Sequence, residues 1–324
     1  MKTLYLVEQG VCVCLNSECL SVAGESIPLP HLECILVFGI VQITTQAVRA
    51  CLQRSIPIAY LSRSGYCYGR LLPIAWYDWS VFEKQQLAPP NHLLAIAREI
   101  VIAKMANSRV LLQRHQRKKS IPYLELAINS LAYFARQAQT ATTTAQLMGL
   151  EGAGASVYFA SWQYLLANPD FVLISRSRRP PTNPVNAMLS FGYQVLWNHI
   201  LFAIEMQKLN PFMGCLHSSE RGHAALASDL LEEFRAPIID SLVMWLINTK
   251  VMCTSDHFEY RDGGCYLNQV GRKTFLLYFV NRMEGKLRLD DHEPPQPRWA
   301  LIHRQVKRYR EALSTGFYSP YRID

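Results

Sequence analysis

The segment HLLAIAREIVIAKMANSRVLLQRHQ, residues 92–116, decides the fold, because here the apolar residues stop alternating and begin to recur at the helical period. It reads as one long amphipathic helix. Its later turns, with the residues just beyond, carry Arg98, Lys104, Arg109, Arg114, Arg117, Lys118 and Lys119. Upstream the chain is composed differently. Residues 3–7, 11–15, 19–22, 26–29 and 32–38 are short runs rich in Val, Ile, Leu or Tyr, set off by Gly, Asn, Ser or Pro, and they predict strands. A helix over 44–54 and two strands over 57–61 and 66–72, turned by Ser64-Gly65, complete that part. Pro89-Pro90 marks a connection. Downstream, helical patterns cover 122–137, 143–166, 184–208, 224–249, 272–286 and 298–314. They are interrupted by a hairpin over 257–260 and 265–268 around Arg261-Asp262-Gly263-Gly264. The expected architecture is α+β, with a small β domain over 1–75, a linker over 76–91 and a larger all-α domain over 92–324.

Composition narrows the function classes. Half of the 324 residues are hydrophobic and 18% are charged, which supports a sizeable core and argues against long disordered arms. No run of apolar residues reaches the roughly 18 to 20 of a membrane span, and Glu8 interrupts the N-terminus before an apolar leader could form, so a cytoplasmic protein is expected. The nine cysteines are scattered through strand and helix patterns and read as reduced core thiols. The net charge of +8 favours a polyanionic partner, and its placement matters more than its size. Residues 1–77 carry a net of only +1, so the helical part is the one expected to meet an anion.

Three segments there could carry chemistry. Ser228-Asp229-Leu230-Leu231-Glu232-Glu233-Phe234-Arg235 places Asp229 one helical turn before Glu232 and Glu233, so three carboxylates are expected on one side. Arg235 cannot neutralise three acids, whereas a divalent cation could; a solvated acidic face is the competing reading. His217 follows an apolar connection bearing Pro211 and Gly214, a place where an imidazole needs a partner. Glu151 stands among Gly149, Gly152 and Gly154 within a helical pattern, and those glycines suggest close approach of backbone or ligand, or a plain helix break. Between these acids, Arg176, Arg178 and Arg179 lie on a proline-stiffened turn suited to phosphate contacts, with Thr182 or Asn183 as a cap for the following helix. Asp290-Asp291-His292-Glu293 reads as a solvated turn before Pro294-Pro295. Phosphate-binding Gly loops, dinucleotide fingerprints and nucleophile elbows do not occur.

Taken in order, Gly149-Leu150-Glu151-Gly152 with Tyr158-Phe159, the run from Arg178 to Tyr193, Asn210-Pro211 with Leu216-His217, the run from Leu226 to Arg235, and the closing Tyr318-Ser319-Pro320-Tyr321-Arg322 resemble the CRISPR-associated Cas-one endonuclease and integrase family of spacer acquisition. The resemblance spans most of the chain. Ala225, where a Ser is common, and Ala236, which delays the following proline, depart from the pattern without touching a ligand position.

The resemblance implies a dimerising β domain and a helical catalytic domain whose Glu151, His217 and Glu232 hold Mg2+ or Mn2+, with Asp229 beside them. It implies contacts to double-stranded DNA, for which Arg176, Arg178, Arg179, Asn186, Tyr193 and Arg235 are the candidates. The implied reaction joins 3′-hydroxyl ends of captured DNA to a CRISPR repeat by transesterification, as a homodimer pair bridged by the small partner Cas-two. The residues alone leave open a structure-selective nuclease for branched DNA and a non-catalytic basic DNA-binding scaffold.

Overall fold

A computed structural model describes residues 3–74, 78–117, 120–219, 222–288 and 294–323. Lys118, Lys119, the turn from Asp290 to Glu293, and Trp76 and Tyr77 of the expected linker lie outside them.

The N-terminal part holds β1 (Thr3–Leu6), β2 (Cys12–Asn16), β3 (Cys19–Val22), β4 (Glu25–Pro28), β5 (Cys34–Phe38), β6 (Gln42–Ile43), α1 (Thr45–Gln53), β7 (Ile58–Leu61) and β8 (Cys67–Leu71). They make two four-stranded sheets, ordered β1-β5-β7-β8 and β4-β3-β2-β6. Thr44 caps α1 by accepting from the Ala47 amide. All five residues of β5 are buried because both its faces are covered. Ile35 and Val37 pack with Val13, Leu20 and Ile58 inside the β part, whereas Leu36 and Phe38 join the helical core, where Phe38 meets Phe191 at 5.8 Å between ring centroids.

The helical part comprises α2 (Trp79–Gln86), α3 (Pro90–Gln116), α4 (Pro122–Thr140), α5 (Thr144–Ala160), α6 (Pro184–Met206), α7 (Ala225–Leu231), α8 (Ser241–Asn248), α9 (Gln269–Glu284) and α10 (Arg298–Thr315). The hairpin is β9 (Phe258–Arg261) and β10 (Gly264–Leu267), turned on Asp262 and Gly263, both at positive φ. A two-residue ladder pairs β11 (Lys286–Leu287) with β12 (Gln296–Pro297). The apolar α6 is long enough to cross a membrane by length and composition alone, but its residues are mostly buried in this core.

Two expectations need correcting. The 76–91 segment contains a helix: Asp78 caps the amide of Ser80, and α2 buries Val81 and Gln85. The Gln85 amide donates to the carbonyls of Asn210 and Met213, both at 3.0 Å, and accepts from the Asn210 amide at 2.7 Å. α2 therefore braces the loop leading to His217. The continuous helix expected over 224–249 is broken into α7, a 3-10 turn (Glu232–Phe234), a π turn (Arg235–Asp240) and α8. Pro237 lies within the π turn and has no amide to donate, so the i to i−4 ladder cannot run through it.

α6 also fastens the two parts together. Arg70 of β8 pairs with buried Glu205 at 2.8 Å, and Tyr5 of β1 meets His199 Nε2 at 2.7 Å. Burial, with help from the charge of Arg70, pushes His199 down to about 3, well under its ordinary value of 6.5. The unfolded chain therefore binds a proton between those values that the folded chain refuses. Stability is complete above about pH 6.5 and falls by roughly 1.4 kcal/mol per unit as the pH drops through that window. His199→Gln, which keeps an acceptor for Tyr5, is expected to give a shallower decline of Tm between pH 6.5 and 4; an unchanged slope would refute the assignment.

Candidate metal centre and DNA-facing rim

On α3, Ala97, Val101, Lys104, Ser108 and Leu111 form one buried stripe at helical spacing, so Lys104 sends its ammonium into the interior. There it pairs with two acids from separate elements: Glu151 Oε1 on α5, and Glu232 Oε2 on the 3-10 turn at 2.5 Å. Arg235 Nη2 holds the other Glu232 oxygen at 2.9 Å. Glu232 is buried, its side chain only 2% exposed, while Glu151 retains 19%. Burial opposes ionisation of Glu232, but Arg235 and Lys104 outweigh it and hold the group down at about 2. A small cleft opens beside Glu151, lined by Lys104, Tyr158, Tyr193, Arg235 and Asp240.

The three neighbouring acids, expected on one side of a helix, turn three ways instead. Asp229 accepts from the amides of Cys215 (2.6 Å), Leu216 (3.0 Å) and His217 (2.9 Å), and its Oδ1 lies 2.7 Å from His217 Nδ1. The loop comes this close because Gly214 lacks a Cβ, which would sit 2.6 Å from Asp229 Oδ2. Glu233 turns to the C-terminal segment, accepting from Tyr318 OH at 2.6 Å, Gln305 Nε2 at 3.1 Å and the Tyr321 amide. Burial lifts Glu233 to about 7 despite these donors. The break after Leu231 is the cause, since a 3-10 turn followed by a π turn rotates successive side chains off the helical schedule. All three acids are buried, which also removes the solvated-face reading.

His217 is half-buried and its Nδ1 is committed to Asp229, a pairing that orients the ring and, among the described residues, leaves Nε2 without a hydrogen bond. Burial works against its charge, yet the Asp229 hydrogen bond and the charges of Asp229 and Glu232 raise its pKa. Among the described residues no group of three or more His, Cys, Asp or Glu side chains stands ready to hold a metal. Two of the three expected ligands nevertheless converge on one cationic atom, and Glu232 Oε2 sits at ion-pair distance without hydrogen-bond geometry. Buried carboxylate oxygens with an oriented imidazole nearby make a donor set that fits Mg2+ or Mn2+. Asp229, with both oxygens taken by the loop and the imidazole, serves as an orienting group.

The expected DNA contacts divide by exposure. Arg178 and Arg179 are exposed, and Arg179 lies near enough to exposed His223 to depress its pKa, after burial, together with His217. His223 Nε2 is 2.7 Å from Ser228 Oγ and its ring stacks on Trp197. Arg176 folds inward, donating to Asn186 Oδ1 (2.9 Å) and Ser190 Oγ (3.0 Å). Asn186 is fully buried, also accepting from the Ser177 amide and donating to the Ser175 carbonyl, so it shapes the basic turn and offers nothing to a surface ligand. Tyr193 is buried too, donating to Asp240 Oδ1 at 2.5 Å under the Arg235 guanidinium, 4.8 Å from its ring. Both are corrected from DNA contacts to supports, because their polar atoms are spent inside. Asn183, one of the two expected caps, accepts from the Asn186 amide.

The glycines around Glu151 do not mark close approach within the chain: Gly149 and Gly152 face open space and Gly154 makes ordinary contact with Leu131 and Met105. Asp240 was not named from the sequence, while Lys104 and Tyr158 were named only as one cation of the long helix and as part of the motif following Glu151, without a place in the site. Only Lys104 left a signal, as a lone cation on an otherwise apolar or small-residue stripe.

Comparison with known proteins places this architecture. Residues 4–280 match the family model for CRISPR associated protein Cas1. A CRISPR-associated exonuclease Cas4/endonuclease Cas1 fusion of Geobacter sulfurreducens is 32% identical over 97% of this chain, which spans 56% of that fusion. CRISPR-associated endonuclease Cas1 1 of Thermus thermophilus is also 32% identical, covering 98% of both chains. A casposase bound to integration product has the same fold, with a TM-score of 0.85 at 22% identity over 100% of this chain and 96% of that one.

Proposed function

This chain belongs to the CRISPR-associated Cas1 family, and from that premise we propose that it is a metal-dependent DNA endonuclease and integrase that joins 3′-hydroxyl ends to a CRISPR repeat. The observation that carries the proposal is the convergence of Glu151 and Glu232 on one cationic point, with His217 oriented nearby by Asp229. Glu151, Glu232 and His217 would hold Mg2+ or Mn2+. Bound there, the ion would supply Lewis acidity to the scissile phosphate and lower the pKa of the attacking hydroxyl. The chain's own groups do the rest. Arg235 fixes the Glu232 carboxylate and shields it from protonation. Arg178 and Arg179 on the exposed rim take the DNA backbone, and the inward Arg176 keeps their turn in place.

In the joining step the incoming 3′ oxygen forms a new bond to phosphorus while the target strand's own bond from phosphorus to its 3′ oxygen breaks. The number of phosphodiesters is unchanged, so no energy source beyond the DNA is needed. The partners are double-stranded DNA, a second copy of this chain paired through the β part, and a small Cas2 protein bridging two such pairs.

The test offers a short duplex and repeat-bearing supercoiled plasmid with Mn2+ or Mg2+, and separates products on denaturing gels. Covalent branched junctions are expected from the wild-type chain and no detectable junctions from His217→Ala. Nicks without junctions would replace the integrase with a hydrolytic nuclease, and undiminished joining by the variant would remove His217 from the site.

A further inference from the structure

The ion held by the two acids in this structure is the chain's own. Lys104 projects from the middle of the longest helix, its side chain 11% exposed, onto carboxylates from α5 and from the turn after α7. Without it, a nearly fully buried carboxylate and a largely buried one would face each other with Arg235, already engaged at the far oxygen of Glu232, and the more distant His217 in compensation. Like charges drawn to one point in a poorly solvated interior repel each other strongly. An ammonium and a divalent cation cannot share the space between the same two oxygens.

We infer that Lys104 is the resident counter-ion of the Glu151–Glu232 pair and that a divalent cation enters by exchange with its ammonium. This rests on the metal-dependent reading above and extends it to how the site is loaded. Lys104 holds the site assembled when no metal is bound, and it sets the concentration at which metal takes over. The competition is between one positive charge tethered to α3 and two positive charges from solution. Removing the tethered one has two opposite consequences: the metal-free protein is weakened, and metal binding is strengthened.

The experiment uses the full chain and Mn2+ alone, without DNA, followed by calorimetry and by thermal melting. Lys104→Met is expected to melt at a lower temperature than wild type without metal, to reach half-saturation at least about tenfold lower Mn2+, and to gain more in Tm at saturation. Half-saturation within twofold of wild type, with equal metal-free Tm, would overturn the exchange while leaving the metal reading intact. Absence of Glu151-dependent binding in both wild type and Lys104→Met, judged by adding Glu151→Gln, would sink the metal reading and the exchange together. Lys104→Gln, which keeps two donors for the carboxylates, replaces the Met variant if that one does not fold. If neither variant folds without metal, Mn2+ must restore folding; failure of that rescue also refutes the inference.

Discussion

Glu232→Gln is expected to lower strand joining by about a thousandfold or more while the chain remains folded at 25 °C. The substitution keeps the shape of the side chain and removes only its charge. Glu232 is the one acid of the site that both Lys104 and Arg235 grip, and it is the most deeply buried of those facing the cleft cation. In the proposed reaction, losing a charged ligand costs roughly 4 kcal/mol or more of transition-state stabilisation, and each 1.4 kcal/mol is a factor of ten in rate.

The same change has a signature independent of activity. A carboxylate held at about 2 against an ordinary 4.5 contributes stability that is complete above about pH 4.5 and is lost as the pH falls from there through 2, on the order of 3 kcal/mol in all. Glu232→Gln forfeits that contribution at neutral pH and leaves Arg235 buried without its partner. Its metal-free Tm should therefore fall, and its acid limb should be shallower than that of wild type. Joining within tenfold of wild type would remove Glu232 from the reaction.

Asp229→Ala is the second large effect, and it acts on stability first. One side chain accepts from three consecutive backbone amides and from an imidazole, so its loss orphans four donors at once in and beside a buried loop. At about 1 to 3 kcal/mol per unsatisfied buried group, partly relieved by water entering the space left behind, the net cost should be about 3 to 5 kcal/mol in urea unfolding. Joining should fall about a hundredfold or more, because His217 loses the bond that fixes its ring. Asp229→Asn, which retains one acceptor oxygen, should lie between the two. A variant with Ala as stable as wild type to within 1 kcal/mol would show that the loop is held by other means.

Much of this architecture is legible in the sequence alone. The change of period at His92, the Asp262-Gly263 turn and the helix expected over 44–54 are local events, each decided by residues within a few positions of one another, and each stands where the sequence placed it to within a residue or two. Family motifs likewise marked Glu151, His217, Asp229 and Glu232. What local pattern could not supply was direction. A carboxylate's neighbours in sequence do not say which way it points once the helix breaks after Leu231, and Asp229, Glu232 and Glu233 turn to a loop, a cation and the segment around Tyr318. Tyr193 and Asn186 looked like ligand-binding groups because Tyr and Asn often are, yet packing of α6 against the elements around it spent their polar atoms inside.

By itself, then, the amino-acid order determined most of the strands and helices, α2 and the break over 232–240 excepted, where the cation-rich half lay, and which acids and histidine resemble a family motif. The tertiary structure alone decided that Lys104 meets Glu151 and Glu232, that α2 braces the loop carrying His217, and that both faces of β5 are covered. The reason is that strand and helix formation depend on contacts a few residues apart, whereas ion pairing and burial depend on side chains tens to more than a hundred positions distant in the chain, brought together only by packing of the whole core.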